Sequence, residues 1–558
     1  MNRFDPLAAL VSRRSVLKSA GTATLVLAGG DLLLACGVGS APPAAAGPVK
    51  LLRLSGGQWG YPSPFAYVRG PGLVFALFIF DTLLWKDSTG KFIPWLASEW
   101  KGSSDGLTWT FTIRGNAKWH DGTPVTADDA AFTFRYFKSL PPQETGLVGA
   151  LPFIADATAA GDKVTIQLTT PYAPFEEYVA GRIPIIARKV WEGVASPSKL
   201  RDERAVMGSG PYKLASWDQA QGAYRFTSNP DFYLGQPVVR ELQFVPSSND
   251  LLSLQSGGVD GGGPNLEQGL PKSTIDGFTG KGNYAVLRGY GGWTRGLFFN
   301  ADRGFPYDQV AFRQAVAYAV DRKALVDRIL YGQGVPGSLG TLSPDNSWLA
   351  PGLPTYEHDA GKAGSLLDSI GLKAASSGMR AKPDGSAFSP VLTTSSQFSA
   401  ETAQLIVNDL KAVGLDARLS SLDGPSADAA SASGNYDLAL VGYGGLIGDP
   451  DSMRTQLSPR FKSASFTRIH GYKNQKFADL ADQQLHTADP IQRRHLIEEM
   501  QKLVAADVPL LQLYVPYGLF IYRKDKFTAW YYTPGGVFGG YPGTLNKQAF
   551  VTGHTTGV

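Results

Sequence analysis

One cysteine, Cys36, and six histidines (His120, His358, His470, His486, His495 and His554) are the chain's whole stock of soft ligands and imidazole bases. Cys36 falls in an N-terminal leader, so the body of the protein has neither a thiolate nucleophile nor a disulfide. The histidines lack the tight spacing that a transition-metal site needs, and no metal is expected. Ser196-Pro197-Ser198-Lys199 has the Ser-x-x-Lys spacing of a serine activated by lysine. Pro197 makes a helical nucleophile turn awkward there, however, and no Lys-Thr-Gly partner exists. His-Glu-x-x-His and the Gly-x-x-x-x-Gly-Lys-Ser/Thr phosphate loop are absent as well. No catalytic residue and no cofactor is therefore expected, and a secreted hydrolase is disfavoured.

The remaining chemistry is that of non-covalent capture. Trp59-Gly60-Tyr61-Pro62-Ser63-Pro64-Phe65 sets Trp59, Tyr61 and Phe65 in a loop rich in Gly and Pro. Such rings suit a flat apolar wall for a ligand, and equally suit a cover over a core. Tyr443-Gly444-Gly445-Leu446 follows the apolar run Leu438–Val441 and precedes Asp449-Pro450. Glycine there lets a ligand approach the backbone closely. The candidate binding residues are Trp59, Tyr61, Phe65, Tyr443, Gly444, Gly445, Leu446 and Asp449, the last also a natural turn former.

These segments need a scaffold of more than one lobe, since 558 residues exceed a single ordinary core. Hydrophobic residues at 43% and charged residues at 18% are globular values, and 65 Gly with 37 Pro imply many turns. The formal net charge is +4 with no run of five or more Lys/Arg, so nothing favours phosphate-backbone binding and nucleic acid is not expected as a partner. Strand alternation marks Val49–Leu54, Leu107–Ile113 and Val164–Leu168. Thr126, with Asp129 three residues on, caps a helix running to Lys138. A single long helix is expected from Asp308 to Tyr331, stopped by Gly332. Ser399 caps another that buries Ala403, Ile406, Leu410 and Val413 and stops at Gly414. Strands and helices alternate without a fixed repeat, giving an α/β architecture.

Ser12-Arg13-Arg14-Ser15-Val16-Leu17-Lys18 followed by the apolar stretch Ala20–Gly30 resembles a twin-arginine export signal, with Arg13 and Arg14 as the pair. Two maturations fit. Leu33-Leu34-Ala35-Cys36-Gly37 resembles a lipobox that would make Cys36 the lipidated first residue, although Asp31 interrupts the apolar run. Cleavage near Ala44-Ala45-Ala46 would instead release a soluble chain. Beyond the leader no stretch reaches the ~18 apolar residues of a membrane span.

Several segments resemble, in order, the extracellular solute-binding proteins of the peptide/nickel type, family 5. They are Ile93-Pro94-Trp95-Leu96-Ala97-Ser98-Glu99-Trp100, Trp119-His120-Asp121-Gly122-Thr123-Pro124-Val125-Thr126, Gly208-Ser209-Gly210-Pro211-Tyr212, Asn229-Pro230-Asp231-Phe232-Tyr233 and Leu254–Asp260. Phe312–Arg322, Tyr436–Leu440 and Gly448-Asp449-Pro450-Asp451 continue the series. The resemblance implies a bilobal, type II periplasmic-binding-protein-like fold with an extra inserted subdomain. Its lobe I would comprise residues 48–75, 205–288 and 515–558, the insert 76–204 and lobe II 289–514. It also implies a monomeric receptor on the outer face of the cell membrane or in the periplasm, closing its lobes on a small-molecule or peptide-like solute. The receptor would pass that solute to an ABC permease and, through it, to ATPase subunits. A ligand-sensing or chaperone-like receptor of the same fold is the alternative.

Within those motifs, the Trp119–Thr126 stretch reads as a turn and helix cap, Asp321-Arg322 as a helix-surface ion pair or loop tie, and Gly208–Pro211 as a turn needing glycine dihedrals. Peptide-binding members carry an acid where this chain has Leu446. An ammonium buried there without a partner would cost several kcal/mol, which counts against a free peptide N-terminus as ligand.

Overall fold

The computed structural model describes residues 47–141, 144, 150–263, 269–445, 448–461, 465–532 and 547–556. The leader, with Arg13, Arg14 and Cys36, lies outside the described residues, as does Leu446.

A single strand organises the rest. Leu510–Arg523 is a run of 14 residues dominated by aromatic and aliphatic side chains, with Pro516 in its interior. Proline cannot donate to a ladder, and here it marks a change of neighbours. Before it the strand pairs antiparallel with Thr294–Phe299, and after it with Tyr284–Tyr290 and Gly261–Gly262. Tyr284–Tyr290 and Thr294–Phe299 are consecutive in the chain, so the backbone crosses twice at one level, at 291–293 and at Pro516.

Each side of that crossing has its own sheet neighbours. On the first side Leu52–Gly56 lies between Glu241–Pro246 and Gly261–Gly262, with Ala223–Ser228 and Tyr212–Asp218 beyond. On the second side Val391–Ser395 sits between Arg418–Leu422 and Leu438–Tyr443, the latter paired with Thr294–Phe299. The apolar cores divide in the same way. One cluster gathers Leu52, Phe78, Phe226 and Phe244. Two others gather Leu297, Phe312, Ile406 and Leu440, and Phe298, Met453, Phe477 and Met500.

Residues from the region of 97–168 form a separate four-stranded antiparallel sheet, Ala97–Gly102, Thr108–Ile113, Lys163–Leu168 and Ile154–Ala160, backed by the helix Ala127–Ser139. Its buried Phe111, Phe134 and Val164 belong to the first cluster, so this sheet has no core of its own. Thr126 and Asp129 make the full reciprocal capping box expected for that helix.

The single helix expected over 308–331 is instead two, Val310–Ala319 and Arg322–Ile329. Asp321 breaks the run because its carboxylate accepts from the Ala324 amide (2.8 Å), which starts a second helix. Arg322 is not on the surface. It is buried, and its guanidinium donates to the carbonyls of Gly337 (2.7 Å) and Thr355. Gly208 and Gly210 also serve differently from expectation, since a Cβ at either would lie 2.0 or 2.5 Å from the Ile79 carbonyl oxygen. Close backbone approach, rather than left-handed dihedrals, demands glycine there. Among the described residues no helix is long and apolar enough to cross a membrane.

Candidate solute-binding site

Strand direction brings the loops of interest together. Gly261–Gly262 runs antiparallel to Leu510–Arg523 and so points toward Pro516; Leu52–Gly56, parallel to it, ends at the same level. Leu438–Tyr443 runs antiparallel to Thr294–Phe299 and finishes opposite Thr294, beside the 291–293 crossing. Val391–Ser395, parallel to Leu438–Tyr443, ends there too. The carboxyl ends of strands from both sides thus converge on the double crossing, which is where open α/β sheets place their ligands.

The predicted residues meet different fates at that level. Trp59 is half-buried, and its ring folds back on the first strand's end, where a Cβ on Gly57 would come within 3.0 Å of Nε1. Its backbone is pinned: the amide donates to Tyr224 Oη (3.1 Å), and Val68 N–H donates to its carbonyl (2.7 Å). Tyr61 and Phe65 are each only 7% exposed. Tyr61 Oη donates to the Asp202 carbonyl (2.9 Å), and Phe65 packs 4.8 Å from the rings of Phe137 and Trp191. Tyr61 and Phe65 thus cover the core, while Trp59 stays partly exposed. Tyr443 is likewise 1% exposed, packed on Phe298 at 5.6 Å, so it is a core ring at the end of its strand.

Gly444 and Gly445 are better placed. A Cβ on Gly444 would lie 3.3 Å from the Trp293 ring, and Gly445 has φ +86° with Ser452 Cβ 2.7 Å from where its own would be. Trp293 is a residue that sequence reasoning missed. It sits in the crossing itself and is 42% exposed, unusual for so large a ring. The signal was present as Gly291-Gly292-Trp293 between two strands. Tyr290 and Tyr517 flank the crossing as a register pair with ring centroids 5.3 Å apart, and the Arg288 guanidinium stands 5.4 Å from the Tyr517 ring. Burial raises the Tyr290 phenol pKa, with Tyr517 and the charge of Asp345 adding to it. Across the crossing Arg295 stacks on Phe398, 3.9 Å from its centroid.

The Asp449 carboxylate is engaged within the protein. Both its oxygens accept from Arg493, at 2.7 Å each, and one also accepts from the Asp451 amide (2.9 Å). Arg493 donates onward to Gln484 (2.9 Å), Gln484 to Asp451 (2.8 Å), and Asp451 accepts from Arg454 twice at 2.7 Å. The network is buried and mutually satisfied, as buried charge must be. Its effect is to fix the far end of the loop that begins at Gly444.

A family profile, bacterial extracellular solute-binding proteins, family 5, matches residues 91–464, more than half of the chain. The chain belongs to that family. Family 5 membership accounts for the α/β layout, which is that of the type II periplasmic binding proteins. Protein XP55 of Streptomyces lividans is 29% identical over 443 residues, 77% of this chain and 77% of its own length. The dipeptide-binding protein of Escherichia coli is 26% identical over 455 residues, covering 76% of this chain and 81% of the relative. Among solved structures, NikZ from Campylobacter jejuni in complex with Ni(L-His) superimposes with a TM-score of 0.73 at 22% identity, covering 91% of this chain and 99% of that one. The family 5 chain is therefore a solute-binding receptor, extracytoplasmic like its family.

Proposed function

We propose that this receptor closes lobes 48–75, 205–288 and 515–558 (with the inserted unit 76–204) and 289–514 around one small organic solute at the double crossing, and hands it to an ABC permease. Two rigid halves joined by crossing strands can hinge while each core stays intact, and the solute closes them only by preferring the closed form. The observation that carries this reading is the convergence of strand ends from both halves on a crossing that bears the exposed Trp293. Trp59 from one half and Trp293 with Gly444 and Gly445 from the other form the surface we assign to the solute. Tyr61, Phe65, Tyr443 and Asp449 act behind it, as core and as loop support. Arg13 and Arg14 direct export, and either Cys36 is lipidated or cleavage near Ala46 frees the chain.

A peptide, an opine or a sugar-like solute all suit a gap of aromatic surface and close backbone. Native mass spectrometry of the protein from its own host gives the mass of the co-purified solute and of any lipid on Cys36. With that solute in a calorimeter, Trp293→Ala and Trp59→Ala each weaken binding about tenfold or more without unfolding the chain. Unchanged affinity in both variants removes the crossing as the site.

A further inference from the structure

The inserted unit touches the second lobe through residues 171–178, outside the crossing ribbon itself. Ala173 N–H donates to the Leu485 carbonyl (2.8 Å), and His486 Nδ1 is 2.6 Å from the Pro171 carbonyl oxygen. Leu485, from the end of the second-lobe helix Gln475–Leu485, buries its side chain in the first lobe's apolar cluster. The Tyr172 ring stacks on Phe153 at 4.3 Å, with the His486 ring edge-on to Phe153 at 6.5 Å. Tyr178 Oη donates to the Asp449 carbonyl at 3.4 Å.

The seam is also incompletely filled. A cavity of ≈ 790 Å³ opens along it between Trp109, Pro171 and Tyr172 on one side and Trp348, Asp449 and Arg493 on the other. Permanent interfaces pack as densely as protein interiors, so a few local contacts beside so large a gap mark a surface that parts. Directly behind the contacts stand Gln484 and Arg493, the same network that fixes Asp449 at the end of the solute loop.

We propose that Leu485 and His486 with Pro171–Ala173, residues other than those assigned to the solute, form a closing clasp that holds the free receptor shut and sets how readily it opens. The proposal rests on the reading of two lobes that open and close. Hinge motion at 291–293 and Pro516 must separate the clasp, so its strength adds to the closed state whether or not solute is present. Through Gln484, next to Leu485, and Arg493 the clasp stands on the same network that holds Asp449, so release of one loosens the other.

The test uses a full-length chain with Cys36→Ser and nitroxide labels on Lys101→Cys and Lys476→Cys, both exposed and outside the clasp. Pulsed electron paramagnetic resonance then reads the distance between inserted unit and second lobe in the solute-free protein. His486→Ala raises the open fraction about threefold, the loss of one solvent-accessible hydrogen bond. Leu485→Asp, which sets a charge in the apolar contact, raises it further. Should Leu485→Asp fail to fold, His486→Ala decides alone. Two distance populations whose balance ignores the folded variants overturn the clasp and leave lobe closure standing. One fixed distance in every variant overturns both.

Discussion

The inserted unit meets its two neighbours in opposite ways. Toward the first lobe it has no boundary in packing: Phe111, Phe134 and Trp191 share one apolar cluster with Leu52 and Phe244. Deep in that joint Lys547 Nζ lies 3.0 Å from Asp81 Oδ1, between the Trp85 and Trp95 rings at 5.0 and 5.2 Å, while Trp95 Nε1 (2.8 Å) and Ser209 Oγ (3.0 Å) donate to the same carboxylate. Toward the second lobe the described contacts are the hydrogen bonds at Pro171 and Ala173, a long one from Tyr178 and the second lobe's own buried Leu485, beside a cavity. One joint is welded by packing, and in the closure proposed above the other releases. A unit so welded would move with its lobe, and the proposed clasp would then act as a lever on the gap.

Breaking the weld has the largest expected effect. Lys547→Met keeps the bulk between the two tryptophans and leaves the Asp81 carboxylate buried without its cation, so stability falls by about 3–5 kcal/mol. Urea unfolding checks it; a loss under 1 kcal/mol means that the pair is not what ties the C-terminal helix to the insert. Acid comes next. His120, whose Nε2 is 3.0 Å from the Gly210 carbonyl, is held in the same joint, and burial with nearby Lys213 lowers its pKa from 6.5 to about 4. The unfolded chain takes up that proton below 6.5 and the folded chain only near 4, so its stabilisation is complete above pH 6.5 and lost as pH falls toward 4. A ring still partly open to water makes the loss roughly 2 kcal/mol rather than the ~3 kcal/mol of full desolvation. Denaturation between pH 7 and 4 measures it, and His120→Gln flattens the slope. An unchanged slope in that variant places the acid sensitivity elsewhere.

Local chemistry was the legible part of this fold. Thr126 with Asp129, Ser399 capping Ala400–Ala412, and left-handed Gly414 behave as their side chains and dihedrals dictate, because each is decided within one helical turn. Asp321 was misread because a cap inside an apolar stripe leaves the stripe's period intact. The site was legible only as a level in the sheet. Residues 57–65 and 443–449 do follow strands that end at the crossing, but whether a ring there faces solute or core depends on partners far off in sequence. Tyr61 lies against Trp217 at 5.2 Å and Phe65 against Trp191, positions that no local pattern announces. Asp449 was caught by Arg493 for the same reason, and Trp293 was passed over because a lone tryptophan between strands is ordinarily buried.

The smallest expected effect tests the releasing joint on its own terms. Burial and then the Asp449 charge push the Tyr178 phenol pKa well up, which favours its role as a donor. The hydroxyl's one hydrogen bond among the described residues is the long one, 3.4 Å, to the Asp449 carbonyl. Tyr178→Phe removes that contact and keeps the ring, so global stability drops by less than ~0.5 kcal/mol. Cleavage by a protease at low concentration, which reads local opening rather than global unfolding, becomes faster at the 171–178 segment in the same variant. A weld would respond in reverse, with a large global loss and unchanged local cleavage, because its parts come undone only together. That outcome would make the two joints alike and remove the asymmetry on which the lever depends.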